Sequence, residues 1–182
     1  MLSGPAGAGK TTVAERLCRE LPGLRRSVSA TTRAPRAGEV EGRDYFFLTE
    51  DEFMRRLARG EFLEHARVHG HFYGTPRAPL DEALRAGESR LLVIDVQGAV
   101  QVRAARPDAL LIFLDAPDDV VLGQRLADRR TDNEEERRRR LATAAAERAF
   151  RSRYDYCVTN DNLDRAVSEL RALIDGKRES KM

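Results

Sequence analysis

Gly4-Pro5-Ala6-Gly7-Ala8-Gly9-Lys10-Thr11 stands at the start of this 182-residue chain and matches the pattern G-x-x-x-x-G-K-[ST]. Glycines at these positions let a backbone close around an anion while successive N–H groups point inward. Such a loop needs a strand before it and a helix after it. Met1-Leu2-Ser3 and the amphipathic stretch 10–21 supply both. The helix adds the positive end of its dipole. Lys10 then reaches the β- and γ-phosphates of a nucleoside triphosphate, and the Thr11 hydroxyl ligates Mg²⁺. We assign Gly4, Pro5, Ala6, Gly7, Ala8, Gly9, Lys10 and Thr11 to ATP. A turn that merely caps a helix is the bland alternative, and the order apolar start, loop, helix argues against it. The motif does not say what receives the phosphate.

Short β-like runs alternate with helical patterns along the rest of the chain. The patterning predicts strands at 26–30, 45–48, 62–68, 71–73, 90–95, 110–114 and 156–159. It predicts helices at 10–21, 50–59, 76–86, 97–105, 117–130, 133–153 and 163–177. Thr49-Glu50-Asp51-Glu52 is a capping box for the second helix. Leu91-Leu92-Val93-Ile94 and Leu110-Leu111-Ile112-Phe113-Leu114 are continuous apolar runs, the mark of parallel strands buried on both faces. Alternation of this kind defines an α/β fold. It breaks at 31–48, where an Arg-, Pro- and Gly-rich loop precedes short strands of antiparallel character, so 29–84 reads as an inserted lobe. A second insertion, 125–151, is highly charged and poor in large apolar side chains.

Lys and Arg total 32 and Asp and Glu 30, a net charge of +2 that offers no global field to nucleic acid or a membrane. No apolar run approaches the roughly 20 residues that span a bilayer. The two cysteines, Cys18 and Cys157, have no metal-like spacing, and Cys18 lies among Val13, Leu17 and Leu21 as a helix-core residue. With the loop beginning at residue 4, a secretory leader is not expected, and we place the protein in the cytoplasm. His65, His69 and His71 cluster, but no Cys or carboxylate besides Glu64 completes a zinc site, so they read as strand-surface histidines.

A phosphate acceptor needs its own set. Arg33 and Arg36 lie three apart in the loop, with Tyr45 and Tyr73 downstream. Two guanidinium forks and two phenols can hold a second phosphate group. Glu64 sits in a short strand beside Phe62 and Leu63. A carboxylate accepts two parallel hydrogen bonds from guanine N1–H and N2–H₂, and adenine has no such donor pair on that edge. Ser29 can donate to guanine O6 and Thr75 can add a hydroxyl. Each residue alone carries little weight, since a lone surface Arg or Glu is usually just solvated.

On these strings the sequence resembles the guanylate kinase family. They are Ser3-Gly4-Pro5, Gly9-Lys10-Thr11, Ser27 to Glu39, Gly42-Arg43-Asp44-Tyr45-Phe46-Phe47, Glu61-Phe62-Leu63-Glu64, Tyr73-Gly74-Thr75, Ile94-Asp95-Val96-Gln97-Gly98, Tyr154-Asp155-Tyr156 and Asn160 to Asp164. The matches run in order over essentially the whole chain, and 31–39 is their most specific part. The resemblance implies a three-layer P-loop NTPase fold with a parallel five-stranded core sheet (about 1–28, 85–124 and 152–182), an inserted GMP-binding lobe (29–84) and a helical lid (125–151). It implies that Arg33, Arg36, Tyr45 and Tyr73 hold the GMP phosphate while Ser29, Glu64 and Thr75 surround the guanine. It further implies that Asp95, ending a core strand beside the P-loop, touches the GMP side and, with Thr11 and partly through water, Mg²⁺. Lys10 and the lid residues Arg125, Arg129 and Arg140 become the catalytic cations. The implied reaction is ATP + GMP → ADP + GDP, with dGMP also accepted, serving purine nucleotide metabolism and GMP recycling.

Three departures from the family accompany the match. Only Met1, Leu2 and Ser3 precede the loop, and we expect about four to six more apolar residues from the usual strand length. Val93 stands where an acidic residue is usual, and Asp128-Arg129-Arg130 where Gly-Arg-Gly is usual. A sugar-phosphate kinase of similar fold should lack Ser29, Glu64 and the Arg33–Arg36 loop. A non-catalytic interaction module should lack Lys10 and the lid arginines.

Overall fold

The computed structural model describes residues 1–68, 70–127 and 134–179, and for 134–140 the backbone only. In chain order the elements are β1 (Leu2–Ser3), α1 (Lys10–Glu20), β2 (Leu24–Arg26), β3 (Ser29–Thr31), β4 (Tyr45–Phe47), α2 (Glu50–Ala58), β5 (Phe62–Val68), β6 (His71–Pro76), α3 (Arg77–Arg85), β7 (Ser89–Leu91), α4 (Val96–Ala105), β8 (Ile112–Asp115), α5 (Asp119–Ala127), α6 (Glu134–Arg148), β9 (Tyr156–Thr159) and α7 (Leu163–Glu179). A 3₁₀ turn, Arg151–Arg153, precedes β9. The α/β architecture expected from the alternation is present.

Two compact units form. The first joins Met1–Pro22 to Leu110–Met182. Its sheet is parallel, in the order β1-β8-β9, with Leu2 opposite Ile112 and Asp115 opposite Thr159. All four residues of β8 are buried, as a central parallel strand demands. Spacing of the apolar residues puts Val13, Ala14 and Leu17 on the buried face of α1 and Ala166, Val167 and Leu170 on that of α7. The insertion 125–151 carries more core than its composition promised. Leu122 and Leu126 of α5 pack with Ala144 of α6 and Ala116, and Leu141 and Ala6 close around them.

The second unit is Gly23–Ala109. It holds a two-stranded parallel ladder, β2-β7, and a four-stranded sheet in the order β4-β3-β6-β5. Phe53 of α2 is fully buried and stacks on Phe62 at 4.4 Å and Phe72 at 5.4 Å. Thr49 caps α2 by accepting the Glu52 N–H, while the Glu52 carboxylate pairs with Arg55 and Arg56.

Several expectations change. The stretch 26–30 is two strands in different sheets. The chain leaves the β7 ladder after Ser27, whose N–H still bonds to Leu91 O, and enters the four-stranded sheet at Ser29. β4 runs parallel to β3, not antiparallel, because the long loop 32–44 has room to return the chain to its starting edge. The strands expected to form one five-stranded parallel core sheet form two parallel ladders among the described residues, β1-β8-β9 in the first unit and β2-β7 in the second. Residues 85–109, assigned to the core, join the lobe in one unit: β7 pairs with β2, and Gln101 of α4 bonds β5. The apolar run 91–94 extends β7 only to Leu91, although Leu92 and Ile94 stay buried. α5 starts at Asp119 because the Asp118 carboxylate caps Val121 N at 2.7 Å.

Candidate functional site

The glycine loop lies wholly in the first unit. Gly4, Gly7 and Gly9 adopt φ of 137°, 91° and 90°. A Cβ on Gly4 would overlap the Leu114 carbonyl of β8, and one on Gly9 would overlap the Asn160 amide. Close approach therefore requires glycine at both positions. Lys10 is half-buried and donates to Pro5 O at 2.9 Å and to Gly4 O. It thus lies over the loop's own carbonyls rather than facing solvent freely. The Thr11 side chain is exposed on the first turn of α1. Asn160, buried at the end of β9, donates from its side-chain amide to Ala8 O at 2.8 Å. Its own carbonyl accepts from Arg125 Nη2 at 2.9 Å. Arg125 therefore approaches the loop through Asn160. Arg129 and the Arg140 side chain lie outside the described residues.

The second unit gathers most of the acceptor set. The Arg33 guanidinium lies 5.5 Å from the centre of the Tyr45 ring, and the Tyr45 and Tyr73 rings are 6.1 Å apart, edge to face. Arg26 stacks on Tyr45 at 5.6 Å. Sequence reasoning missed Glu39, which takes Arg33 Nη2 at 2.8 and 3.0 Å and the Arg36 N–H at 2.7 Å. Burial opposes the Glu39 charge, but the Arg33 and Arg36 donors outweigh it and hold the carboxyl below its usual range. The Arg36 side chain is exposed.

Glu64 is 3% exposed, and Thr75 Oγ1 donates to its Oε1 at 2.6 Å. The other oxygen lies so close to Gly98 that a Cβ there would overlap it. Burial pushes Glu64 up to about 7; the Thr75 hydrogen bonds pull the other way, and the negative charge of Asp95 adds to the rise. Ser29 is buried at the start of β3. Asp95 does not end a strand. It is the N-cap of α4, with Oδ1 accepting Gly98 N–H at 2.8 Å. Along α4, Gln101 clamps the next residue of β5: it accepts from His65 N at 3.1 Å and donates to His65 O at 2.6 Å. Gln101 was not singled out in the sequence, and Gly98 entered only as the end of the string Ile94 to Gly98 on which the resemblance rests, with no role given to it. Among the described residues no group of three or more His, Cys, Asp or Glu is arranged to hold a metal.

A parallel sheet, a glycine loop closed against its central strand and a helix opening on Lys-Thr define a P-loop α/β nucleotide-binding protein. The guanylate kinase family model matches residues 1–177. A guanylate kinase of Fusobacterium nucleatum is 45% identical over 175 residues, 96% of this chain and 94% of its own length. One from Rubrobacter xylanophilus is 48% identical over 170 residues, 93% and 89% of the two chains. A crystal structure of guanylate kinase from Anaplasma phagocytophilum superposes with a TM-score of 0.78 at 35% identity, covering 97% of this chain and 83% of that one. The chain belongs to the guanylate kinase family.

Proposed function

We propose that the protein transfers the γ-phosphoryl group of ATP to GMP, and to dGMP, giving ADP and the nucleoside diphosphate. The observation that carries this reading is Glu64: a buried carboxylate gripped by Thr75, in the same unit as the Arg33–Tyr45–Tyr73 cluster. Its lone pairs suit guanine N1–H and N2–H₂, with Ser29 donating to O6. Arg33, Arg36, Tyr45 and Tyr73 hold the GMP phosphate, and Glu39 keeps Arg33 in place between uses.

One GMP phosphate oxygen attacks the γ-phosphorus, and the bond from that phosphorus to the β–γ bridging oxygen breaks in line. The loop N–H groups and Lys10 take the charge that collects on the bridging and γ oxygens, and Arg125, Arg129 and Arg140 close over the transferring group. Mg²⁺ requires hard oxygen donors, and the exposed Thr11 hydroxyl would supply one to the ion. When bound it neutralises charge on the β- and γ-phosphates. No strong general base is required. Among the described residues no helix is long and apolar enough to cross a membrane. We place it in the cytoplasm, in purine nucleotide recycling.

An ADP-release assay with GMP, AMP, CMP and UMP tests the reading. We expect turnover with GMP alone. Glu64→Ala should weaken GMP use tenfold or more, since leaving buried donors unpaired costs about 1–3 kcal/mol, with ATP affinity retained. Equal use of AMP and GMP by the parent would refute the guanine assignment.

A further inference from the structure

Asp115 is a buried acid that no step above uses. It ends β8 at 4% exposure, one residue past the carbonyl against which Gly4 packs. Arg148, the last residue of α6, donates Nε to both of its oxygens, at 3.1 and 2.9 Å. The same guanidinium reaches Asp119 at the start of α5 with Nη1 at 2.5 Å. The Ala116 N–H bonds Asp115 Oδ1 at 2.9 Å and Arg151 approaches Oδ2 at 3.7 Å. One side chain thus ties together the point where the charged insertion leaves the sheet and the point where it returns.

The ties continue to the transfer site. Asp115 O accepts Asn160 N–H at 2.8 Å. The Asn160 amide holds Ala8 O of the glycine loop, and its carbonyl holds Arg125. Arg148 is therefore linked by an unbroken run of hydrogen bonds to the loop and to a lid arginine.

We propose that Arg148 is a positioning residue for phosphoryl transfer, clasping the base of the lid to Asp115 and so setting Arg125 against the glycine loop. The proposal rests on the reading of Arg125 and the loop as transfer machinery. A buried ion pair is weak evidence of stability, because desolvation offsets much of its attraction. A planar guanidinium fork does restrict geometry, and misplacement by about 1 Å far from the chemistry costs up to about a hundredfold in rate.

The test is a double-mutant cycle in the intact chain, with kcat, KM for ATP and GMP, and melting temperature read for each variant. Arg148→Ala should lower kcat by about tenfold to a hundredfold and leave KM for GMP within about threefold of the parent. In an Arg125→Ala background the same change should cost under about threefold, because the residue it positions is gone. Arg148→Lys keeps the charge and loses the fork. It should melt near the parent and still turn over at least about threefold more slowly, which keeps the test decisive if Arg148→Ala does not fold. Parent-like kcat in Arg148→Lys, or losses that multiply in the double variant, overturns the proposal. If Arg125→Ala itself turns over normally, the reading of the transfer machinery falls first.

Discussion

Glu64 meets two opposed demands, burial and charge, and pH sets which prevails. Unfolded, it titrates at 4.5; folded, at about 7. Between those values the native state holds a proton that the unfolded state has released, so stability falls as pH rises through this window. Glu64→Gln removes that dependence. Relative to the parent, it should gain on the order of 1–3 kcal/mol between pH 4.5 and 7.5, read by denaturant unfolding at both values. Guanine donors need the carboxylate, so GMP affinity should run opposite: it weakens as pH drops below about 7, approaching tenfold per unit. Titrating GMP binding in parent and Glu64→Gln separates this from ionisation of the GMP phosphate, which both share. Parallel profiles would contradict it. Gly98→Ala places a methyl where the Glu64 oxygen lies and should raise KM for GMP tenfold or more while leaving KM for ATP unchanged; an unaltered KM for GMP would free Glu64 from α4.

At the scale of elements, the strand–loop–helix at β1 and α1 works because its glycines occupy backbone space that no side chain could share. Lys10 is separable from that packing. Lys10→Ala should keep the melting temperature within a few degrees and lower kcat by orders of magnitude, since its charge follows the transferring group. A near-normal rate would remove it from the mechanism. In α6, we expect Arg140→Ala to reduce kcat far more than Arg138→Ala or Arg139→Ala, with KM for GMP little changed, as for contacts made mainly in the transition state. Equal losses at all three positions would mean that the run acts as bulk charge.

Over the whole molecule the residues proposed for ATP and those proposed for GMP fall in different compact units. The glycine loop and Arg125 belong to the first compact unit, and Glu64, Arg33 and the tyrosines to the second. Hydrogen exchange should therefore respond in blocks. A non-hydrolysable ATP analogue alone should slow exchange at 4–14, and GMP alone at 29–47 and 62–75, because bound ligand stabilises the segments that contact it. Protection of 29–47 by the analogue alone would show that the second set does not belong to GMP.

The glycine loop was legible from residues alone because its constraint is local: a backbone that wraps an anion needs glycine at fixed spacing, whatever surrounds it. The α1 face followed from periodicity for the same reason. Thr49 as a cap needed only its neighbours. Pairing across the chain was another matter. Nothing at Glu39 distinguishes a solvated acid from the partner of Arg33, nor at Gly98 a tolerated helix glycine from the space the Glu64 carboxylate needs. Asp115 reads as the polar end of an apolar run until Arg148, 33 residues on, lies against it. The break at Ser27 and the parallel return of β4 likewise depend on hydrogen bonds to β7 and β3 that no local pattern encodes. Burial of a charge is a property of what packs around it. It is therefore the tertiary structure that turns Glu64 from one acid among many into a group that titrates near neutrality.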